Sequence, residues 1–220
     1  MIEAVVFDLD GLLVDSELIW HRVRRDLFRK YHAVWRDEDQ ALMMGVSTAH
    51  WSHYMADKLQ HKLTPAQIRE AVTAAMAACY RAGEVPLLPG ADEAVRYCAG
   101  HLRTGLASGS PLRLIDAAIA GSGWQSCFRQ IVSSDEVGRG KPAPDVYLEV
   151  CQRLQVDPSE TLVFEDSGAG IRAARAAGVR VIAVPNRDMP PSPEILRMAD
   201  LNLVSLAGYA EAMEAFIAQT

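Results

Sequence analysis

Short apolar runs alternate with stretches of helical spacing along most of the chain. Each run is too short for a helix, and the first is apolar on both faces, as in a buried parallel strand. The predicted strands are Ile2–Phe7, Thr104–Ala107, Gln130–Ser133, Thr161–Phe164 and Val179–Val184. The predicted helices are Ala91–Ala99, a helix from Pro111 to about Ala120, Asp145–Leu154, Gly170–Ala177, and a last one from about Gly208 to Ala218. This alternation predicts an α/β fold, with a Rossmann-like parallel sheet covered by helices on both faces.

The pattern changes between the first two strands. Apolar residues recur at helical spacing from Trp20 to Tyr31, and the Ala- and Met-rich stretch Pro65–Tyr80 begins with a helix-start signal. No strand pattern interrupts this region, and a Pro-Gly turn follows it. We therefore expect residues 16–86 to form a small all-helical cap domain, inserted after the first strand of a core domain made of residues 1–15 and 87–220.

The composition is that of a globular domain. Half of the 220 residues are apolar, 23% are charged, and no apolar run approaches the ~20 residues of a membrane-spanning helix. The net charge of −6 has the opposite sign to that of a general nucleic-acid-binding protein. The four cysteines form no C-x-x-C pair, and the N-terminus lacks the features of a secretion signal. We therefore expect a cytoplasmic protein with reduced thiols, a monomer by default, without nucleic-acid or membrane partners.

Chemically active side chains follow four of the predicted strands. They are Asp8 and Asp10 after the first strand, Ser108 after the second, Lys141 in the loop after the third, and Glu165 and Asp166 after the fourth. Ligands of such sheets bind beyond the carboxyl ends of the strands, so these groups are expected to meet at one edge. Crowded carboxylates repel one another unless a cation joins them, and a small set of oxygen ligands suits Mg²⁺. Mg²⁺ with a lysine beside it forms a pocket for a dianion such as phosphate.

Four short motifs occur in order at these strand ends. They are Asp8-Leu9-Asp10-Gly11 with Asp15-Ser16 following, Ser108 in Leu-Ala-Ser-Gly-Ser, Lys141 in Gly-Lys-Pro-Ala-Pro-Asp, and Glu165-Asp166-Ser167-Gly168-Ala169-Gly170. Together they resemble the motifs of the haloacid-dehalogenase-like phosphotransferases, over a span from Ile2 to about Gly178. Asp15-Ser16-Glu17…Trp20 and Leu88-Pro89-Gly90 look most like the branch of bacterial sugar phosphatases and β-phosphoglucomutases.

The resemblance implies a role for each acidic residue. Asp8 resembles the nucleophile that attacks phosphorus and forms an aspartyl-phosphate. Asp10 resembles the general acid that protonates the leaving oxygen and then, as a base, activates water. The Asp8 carboxylate, the Asp10 main-chain carbonyl and the Asp166 carboxylate would bind Mg²⁺. Glu165 would bind the metal directly or through water, and we favour a role outside the directly bound ligands.

The resemblance also implies the substrate contacts. Ser108, the Gly109 amide and Lys141 would hold the phosphoryl oxygens, so that Ser108 and Lys141 are both catalytic and substrate-binding. Glu17 and Trp20 are the cap residues expected to contact the substrate. The implied function is Mg²⁺-dependent hydrolysis of a small phosphorylated metabolite, a sugar phosphate, under a cap that closes over it.

The mutase reaction of the same branch is the alternative function. The mutases of the branch carry a cap histidine, and an arginine after a Gly-Val-Ser turn. In the comparable positions this chain has Trp20 and, after Gly45-Val46-Ser47, Thr48. Loss of the arginine removes a bidentate clamp for phosphate, which favours the phosphatase.

Two other kinds of site share part of the pattern. Gly168 to Ala173 matches a dinucleotide-binding fingerprint with Asp188 about twenty residues further on, but Glu165 and Asp166 would face the pyrophosphate. A phospho-acceptor signalling domain also combines an acidic cluster with a hydroxyl and a lysine. Such a domain needs a long-lived acyl phosphate, which an acid two residues after the nucleophile would hydrolyse.

Overall fold

A parallel sheet forms the centre of the protein. A computed structural model describes residues 1–43, 46–186 and 190–217. The strands are β1 (Ala4–Phe7), β2 (Arg103–Ser108), β3 (Gln130–Ser133), β4 (Thr161–Glu165), β5 (Arg180–Ala183) and β6 (Leu201–Asn202). Their order across the sheet is β3-β2-β1-β4-β5-β6, and all neighbouring pairs are parallel. This order confirms the predicted α/β fold, and its direction reverses between β1 and β4, where ligands bind in such sheets.

Helices cover both faces of the sheet. Four of them, α1 (Glu17–Lys30), α2 (Asp37–Leu42), α3 (Thr48–Lys58) and α4 (Pro65–Arg81), follow β1. The others are α5 (Ala91–His101), α6 (Leu112–Ser122), α7 (Asp145–Leu154), α8 (Gly168–Ala177), α9 (Pro193–Leu196) and α10 (Tyr209–Ile217). None of the described helices combines the length and apolarity needed to cross a bilayer. All four cysteines are free.

The central strand β1 is apolar throughout because it is buried on both sides. Val5 and Phe7 pack into one hydrophobic core, and Ala4 and Val6 pack into the other. Phe7 also stacks on Phe164 of β4, with the ring centroids 5.2 Å apart. Successive side chains of a strand point to opposite faces, so burial on both faces requires an uninterrupted apolar run.

The chain enters and leaves the helices α1–α4 through two adjacent segments. Val14 forms an antiparallel bridge with Leu87. The Asp15 N–H donates to the Pro86 carbonyl at 2.9 Å, and the Leu88 N–H donates to the Leu13 carbonyl at 3.0 Å. Within this region α4 packs against α1 and α3, and it also contacts α6 beside the sheet. The paired backbones and the contact between α4 and α6 therefore help to connect the four helices to the rest of the protein.

Several elements were not predicted from the sequence pattern. β6 has two residues and no apolar run, and it is held by main-chain bonds from Asp200 N–H to the Val181 carbonyl and from Leu203 N–H to the Ala183 carbonyl. Backbone pairing at an open sheet edge leaves little signal in side-chain periodicity. The helices α2, α3 and α9 were also not predicted individually. The predicted end of the last helix, Ala218, lies outside the described residues.

A pair of glycine substitutions tests the packing of the turn before α5. Gly90 has a φ of +85°, and a Cβ there would lie 2.3 Å from the main-chain nitrogen of Ala207; Gly83 has a φ of +69° with open space around it. We expect Gly83→Ala to lower the free energy of unfolding by about 1–2 kcal/mol through backbone strain alone. Gly90→Ala should lose more than ~3 kcal/mol, because a clash with main chain adds to the strain. Urea denaturation measures both, and equal losses would contradict the described packing.

Candidate active site

The carboxyl ends of β1, β2 and β4 surround one cavity of about 60 Å³. The predicted residues that line it are Asp8, Asp10, Ser108, Gly109, Lys141 and Asp166 beside the sheet, and Glu17 and Trp20 on α1. Glu165 is completely buried and does not line this cavity. Parallel strands direct their following loops to the same edge, which is why residues so distant in sequence meet here.

The Lys141 ammonium joins two buried carboxylates. Its Nζ donates to Asp8 Oδ1 at 2.5 Å and to Glu165 Oε1 at 2.6 Å. The third proton is directed to the main-chain oxygen of Ala107 at 3.1 Å. Burial alone would lower the pKa of Lys141, but the charges of Asp8 and Glu165 outweigh burial and raise this pKa well above its usual value. Lys141 is therefore a permanent positive charge at the floor of the site.

Glu165 has hydrogen-bond partners on both carboxylate oxygens. Tyr147 donates its hydroxyl to Oε1 at 2.8 Å, and Ser167 donates its main-chain N–H to Oε2 at 2.9 Å and its hydroxyl at 3.1 Å. Gly170 makes room for this carboxylate, because a Cβ at Gly170 would lie 1.6 Å from Oε1. Glu165 thereby connects Lys141 to the start of α8.

Asp8 and Asp166 are buried acids with an unfavourable electrostatic environment. Burial raises the pKa of Asp8 to about 8, with Lys141 opposing the rise and Glu165 adding to it. Burial, and after it the charges of Glu165 and Asp8, raise the pKa of Asp166 well above its usual value. No hydrogen-bond donor among the described residues reaches the Asp166 carboxylate, which packs against Gly11 at a φ of +82°. Two such acids are poised to accept a cation.

The donor set fits a divalent cation such as Mg²⁺. Mg²⁺ is commonly bound by one or two carboxylates and keeps several waters, and Asp8 and Asp166 supply two carboxylates. A cation between them would replace repulsion by attraction and reverse the rise in both pKa values. Three His, Cys, Asp or Glu side chains do not converge as a metal-binding group in residues 1–43, 46–186 and 190–217. A third protein ligand would then be a main-chain oxygen, as expected for Asp10.

Asp10 accepts hydrogen bonds from both sides of the cavity. The donors to Oδ1 are the Ser16 hydroxyl at 2.7 Å, Trp20 Nε1 at 3.1 Å and the Tyr80 hydroxyl at 3.5 Å. The donors to Oδ2 are the hydroxyls of Ser110 at 2.7 Å and Ser108 at 3.4 Å. Trp20 and Tyr80 belong to α1 and α4, whereas Ser108 ends β2 and Ser110 lies in the loop after it. The orientation of this carboxylate therefore depends on the helices and on the sheet together.

The loop after β2 presents its polar groups to the cavity in a fixed turn. The Ser108 hydroxyl accepts the Ser110 N–H at 3.0 Å, and the Ser110 carbonyl accepts the Ser133 hydroxyl at 2.6 Å. Both contacts are buried. Gly109 lies between the two serines and lines the cavity. A short hydroxyl-stabilised turn ahead of α6 is a suitable cradle for an anion.

The two predicted cap residues lie on the same helix and face the cavity. Trp20 packs edge-to-face on Trp51, with ring centroids 6.0 Å apart. Glu17 accepts a hydrogen bond from Gln40 Nε2 at 3.1 Å. Burial raises the pKa of Glu17, and Arg24 opposes the rise.

Several residues that line the cavity or contact Asp10 are absent from the predicted site. Ser110 and Ser16 had a usable signal, because each lies within a quoted motif. Arg24 also had one, since it lies four residues after Trp20 and so on the same face of α1. Tyr80 had none, because only the packing of separate helices brings its hydroxyl to Asp10. The residues Gly45 and Asp188, which entered the weighing of alternatives, lie outside the described residues.

Comparisons with known proteins identify the family. A model of the haloacid dehalogenase-like hydrolases matches residues 2–178, so the chain belongs to this family, as its motifs predict. Hexitol phosphatase B of Escherichia coli (strain K12) is 32% identical over 210 residues, which are 92% of this chain and 92% of that protein. The similarities confirm the predicted sugar-phosphatase branch and the prediction of a phosphatase.

Two further similarities extend this result. The bifunctional riboflavin kinase/FMN phosphatase of Arabidopsis thaliana is 32% identical over 204 residues, which are 92% of this chain and 53% of that protein. The chain thus spans about half the length of that relative. The crystal structure of CbbY from Rhodobacter sphaeroides in complex with phosphate has a TM-score of 0.83 at 28% identity, covering 94% of this chain and 96% of that one.

Substitution of Gly170 tests how strongly the site depends on the position of Glu165. We expect Gly170→Ala to lower the free energy of unfolding by about 3 kcal/mol or more, because the methyl group would occupy the space of the carboxylate. Phosphatase activity should fall by about 100-fold through the displaced Lys141. The matched control is Gly100→Ala in α5, where a Cβ would meet nothing within 4 Å. Normal activity and stability of Gly170→Ala would contradict the described geometry.

Proposed function

We propose that the protein is a Mg²⁺-dependent phosphatase that hydrolyses a small phosphorylated metabolite, a sugar phosphate, through an aspartyl-phosphate on Asp8. The observation that carries the proposal is the Asp8 carboxylate held beside the Lys141 ammonium, in a small cavity that Asp10 also lines. Membership of a hydrolase family that includes hexitol phosphatase B supports the class of reaction and of substrate.

The phosphoryl group of the substrate would bind to the residues at the sheet edge of the cavity. Lys141 supplies a fixed positive charge, which offsets the repulsion between Asp8 and an anionic ester. The Ser108 hydroxyl and the Gly109 amide supply hydrogen-bond donors without net charge. Mg²⁺, bound by Asp8, the main-chain oxygen of Asp10 and Asp166, would neutralise charge on the phosphoryl oxygens.

The reaction would proceed in two displacements. A carboxylate oxygen of Asp8 attacks phosphorus, the bond from phosphorus to the ester oxygen breaks, and Asp10 gives a proton to that oxygen. Water then attacks the phosphorus of the aspartyl-phosphate while Asp10 takes a proton from it, which releases phosphate and restores both acids. Ser16, Trp20 and the serines after β2 would orient Asp10 in both steps.

The helices α1–α4 would act as a cap that opens for the substrate. The cavity of about 60 Å³ has room for a few water molecules, which is too little for a sugar phosphate. Residues 16–86 would therefore swing away from the core about the paired segments at Val14 and Leu87. Closure would exclude water from the first displacement and select the substrate.

Hydrolysis is favoured over the mutase reaction by two cap residues. Trp20 donates its indole N–H to Asp10, and an indole cannot shuttle a proton as a histidine can. Thr48 occupies the position of the phosphate-binding arginine and donates its hydroxyl to the Gly109 carbonyl at 3.5 Å. At this position the chain therefore lacks the arginine clamp that binds phosphate in the mutases of the branch.

A screen of phosphate release tests the proposal. With Mg²⁺ and a panel of sugar and nucleotide monophosphates, the wild-type protein should release phosphate from small sugar phosphates. Asp8→Asn should be inactive because an amide is a poor nucleophile, and Asp10→Asn should lose about 10²–10⁴-fold in kcat. Asp116→Asn, an exposed acid on α6, is the matched control and should keep full activity.

Three outcomes would contradict the proposal. If no member of the panel is hydrolysed, or if Asp8→Asn retains the activity that is found, the proposed mechanism is wrong. If β-glucose 1-phosphate yields glucose 6-phosphate faster than free phosphate, the mutase is the correct function.

Removal of the metal provides a separate prediction. Chelation should abolish activity, and added Mg²⁺ should restore it. Mg²⁺ at 100 times its dissociation constant should also stabilise the folded protein by about 2.7 kcal/mol. Asp166→Asn should lose this stabilisation, yet without metal it should be at least as stable as wild type, because it removes a repelling charge. Thermal unfolding with and without Mg²⁺ measures both effects, and equal Mg²⁺ stabilisation of wild type and Asp166→Asn would exclude Asp166 as a ligand.

A further inference from the structure

Arg24 is a buried cation in the wall of the active-site cavity. Its side chain lines the cavity from α1, yet the residue is only 3% exposed. The guanidinium carbon lies 4.7 Å from the centre of the Trp20 ring. It lies 5.8 Å and 5.9 Å from the ring centres of Trp51 and Trp35. Three indole rings therefore lie close to this cation.

The hydrogen-bonding capacity of Arg24 is mostly unused. A guanidinium has five N–H donors. Among the described residues, one hydrogen bond from Arg24 is formed, from NH1 to Gln40 Oε1 at 3.0 Å, and the buried Nε has no partner. No carboxylate in the part of the chain that the structure describes forms an ion pair with Arg24.

Burying a guanidinium with unused N–H donors destabilises the folded protein unless a ligand binds those donors. Removing an arginine from water costs several kcal/mol, and an apolar residue of similar volume would fill the space between the indoles without that cost. Burial accordingly lowers the pKa of Arg24 to about 10, although Glu17 and Asp10 oppose the shift. Cation–π contacts attract the charge of the guanidinium without using its N–H donors, which stay available to a ligand.

Arg24 and Lys141 lie on different sides of the cavity. Of the described lining residues, Lys141 and Arg24 are the cations. Lys141 is fully engaged at the sheet edge by Asp8, Glu165 and a main-chain oxygen. Arg24 lies on the opposite, helical side, and Gln40 orients it while donating its own amide to Glu17.

We infer that Arg24 is a specificity-determining residue that binds a second anionic group of the substrate, remote from the phosphate ester that is cleaved. This inference rests on the proposed phosphatase function. The second group is a carboxylate or another phosphate, since the planar N–H edge of arginine matches the oxygens of either. Glu17, next to it, is available to accept a hydroxyl of the carbon chain between the two anionic groups.

Three substrates with the same six-carbon chain test the inference. Glucitol 6-phosphate ends in a neutral hydroxymethyl group, 6-phosphogluconate ends in a carboxylate, and glucitol 1,6-bisphosphate ends in a second phosphate. The wild-type protein should show a kcat/KM for one of the two doubly anionic compounds that exceeds that for glucitol 6-phosphate by about 10- to 100-fold. Whichever compound is preferred identifies the second group.

Substitutions at and beside Arg24 isolate its contribution. Arg24→Met should bring the ratio of the two kcat/KM values close to one. Arg24→Lys keeps the charge and loses the planar set of N–H donors, so it should retain part of the preference. It serves as the test if the methionine variant does not fold. Arg25→Met, an exposed neighbour on α1, should keep the wild-type ratio.

Binding measurements separate this inference from the proposed function. Calorimetric titration of the three compounds into Asp8→Asn, and into Asp8→Asn with Arg24→Met, reports the preference without turnover. Loss of the preference in the double variant alone supports the inference even if no hydrolysis is found. A wild-type preference for glucitol 6-phosphate, or an equal loss for all three compounds in Arg24→Met, would show that Arg24 only packs the cap.

Discussion

The charge balance around Lys141 is the constraint on which the site depends. The fold brings Asp8, Glu165 and Asp166 into one buried region, and Lys141 bonds directly to two of them. Removing one partner from a buried ion pair costs about 3–5 kcal/mol, because an uncompensated charge remains. The glycines beside these acids meet the same constraint, since Gly170 leaves space for the Glu165 carboxylate. The stability of the fold and the proposed chemistry of the site therefore both depend on the Lys141 ammonium group.

Asp10 has a different kind of importance, because it lies where the helices and the sheet meet. Trp20 and Tyr80 reach it from the helical side, and Ser110 reaches it from the loop after β2. Any movement of the helices changes the set of donors around this carboxylate. An acid that is correctly oriented only in the closed protein would confine proton transfer to the enclosed substrate. Arg24 lies on the same helix as Trp20, so a ligand that binds Arg24 would favour the closed protein.

The positions at the sheet edge were predictable from the sequence, whereas the helical wall was not. Asp8, Ser108 and Asp166 each follow an apolar run, and the topology of a parallel sheet then places them together. Helical periodicity shows which face of a helix is buried but not which faces of separate helices meet. The contact between Tyr80 and Asp10 therefore left no trace in the pattern. The strand β6 was missed for a related reason, since main-chain pairing at the sheet edge holds it.

The antiparallel bridge between Val14 and Leu87 has a consequence for the history of this molecule. Because its two ends are hydrogen-bonded neighbours, the helical segment is a closed loop that leaves and re-enters the core at one place. Insertions at such a place add little entropic cost with length and leave the surrounding strands undisturbed. The helical segment can therefore be exchanged or enlarged while the sheet edge that carries Asp8 and Lys141 stays unchanged.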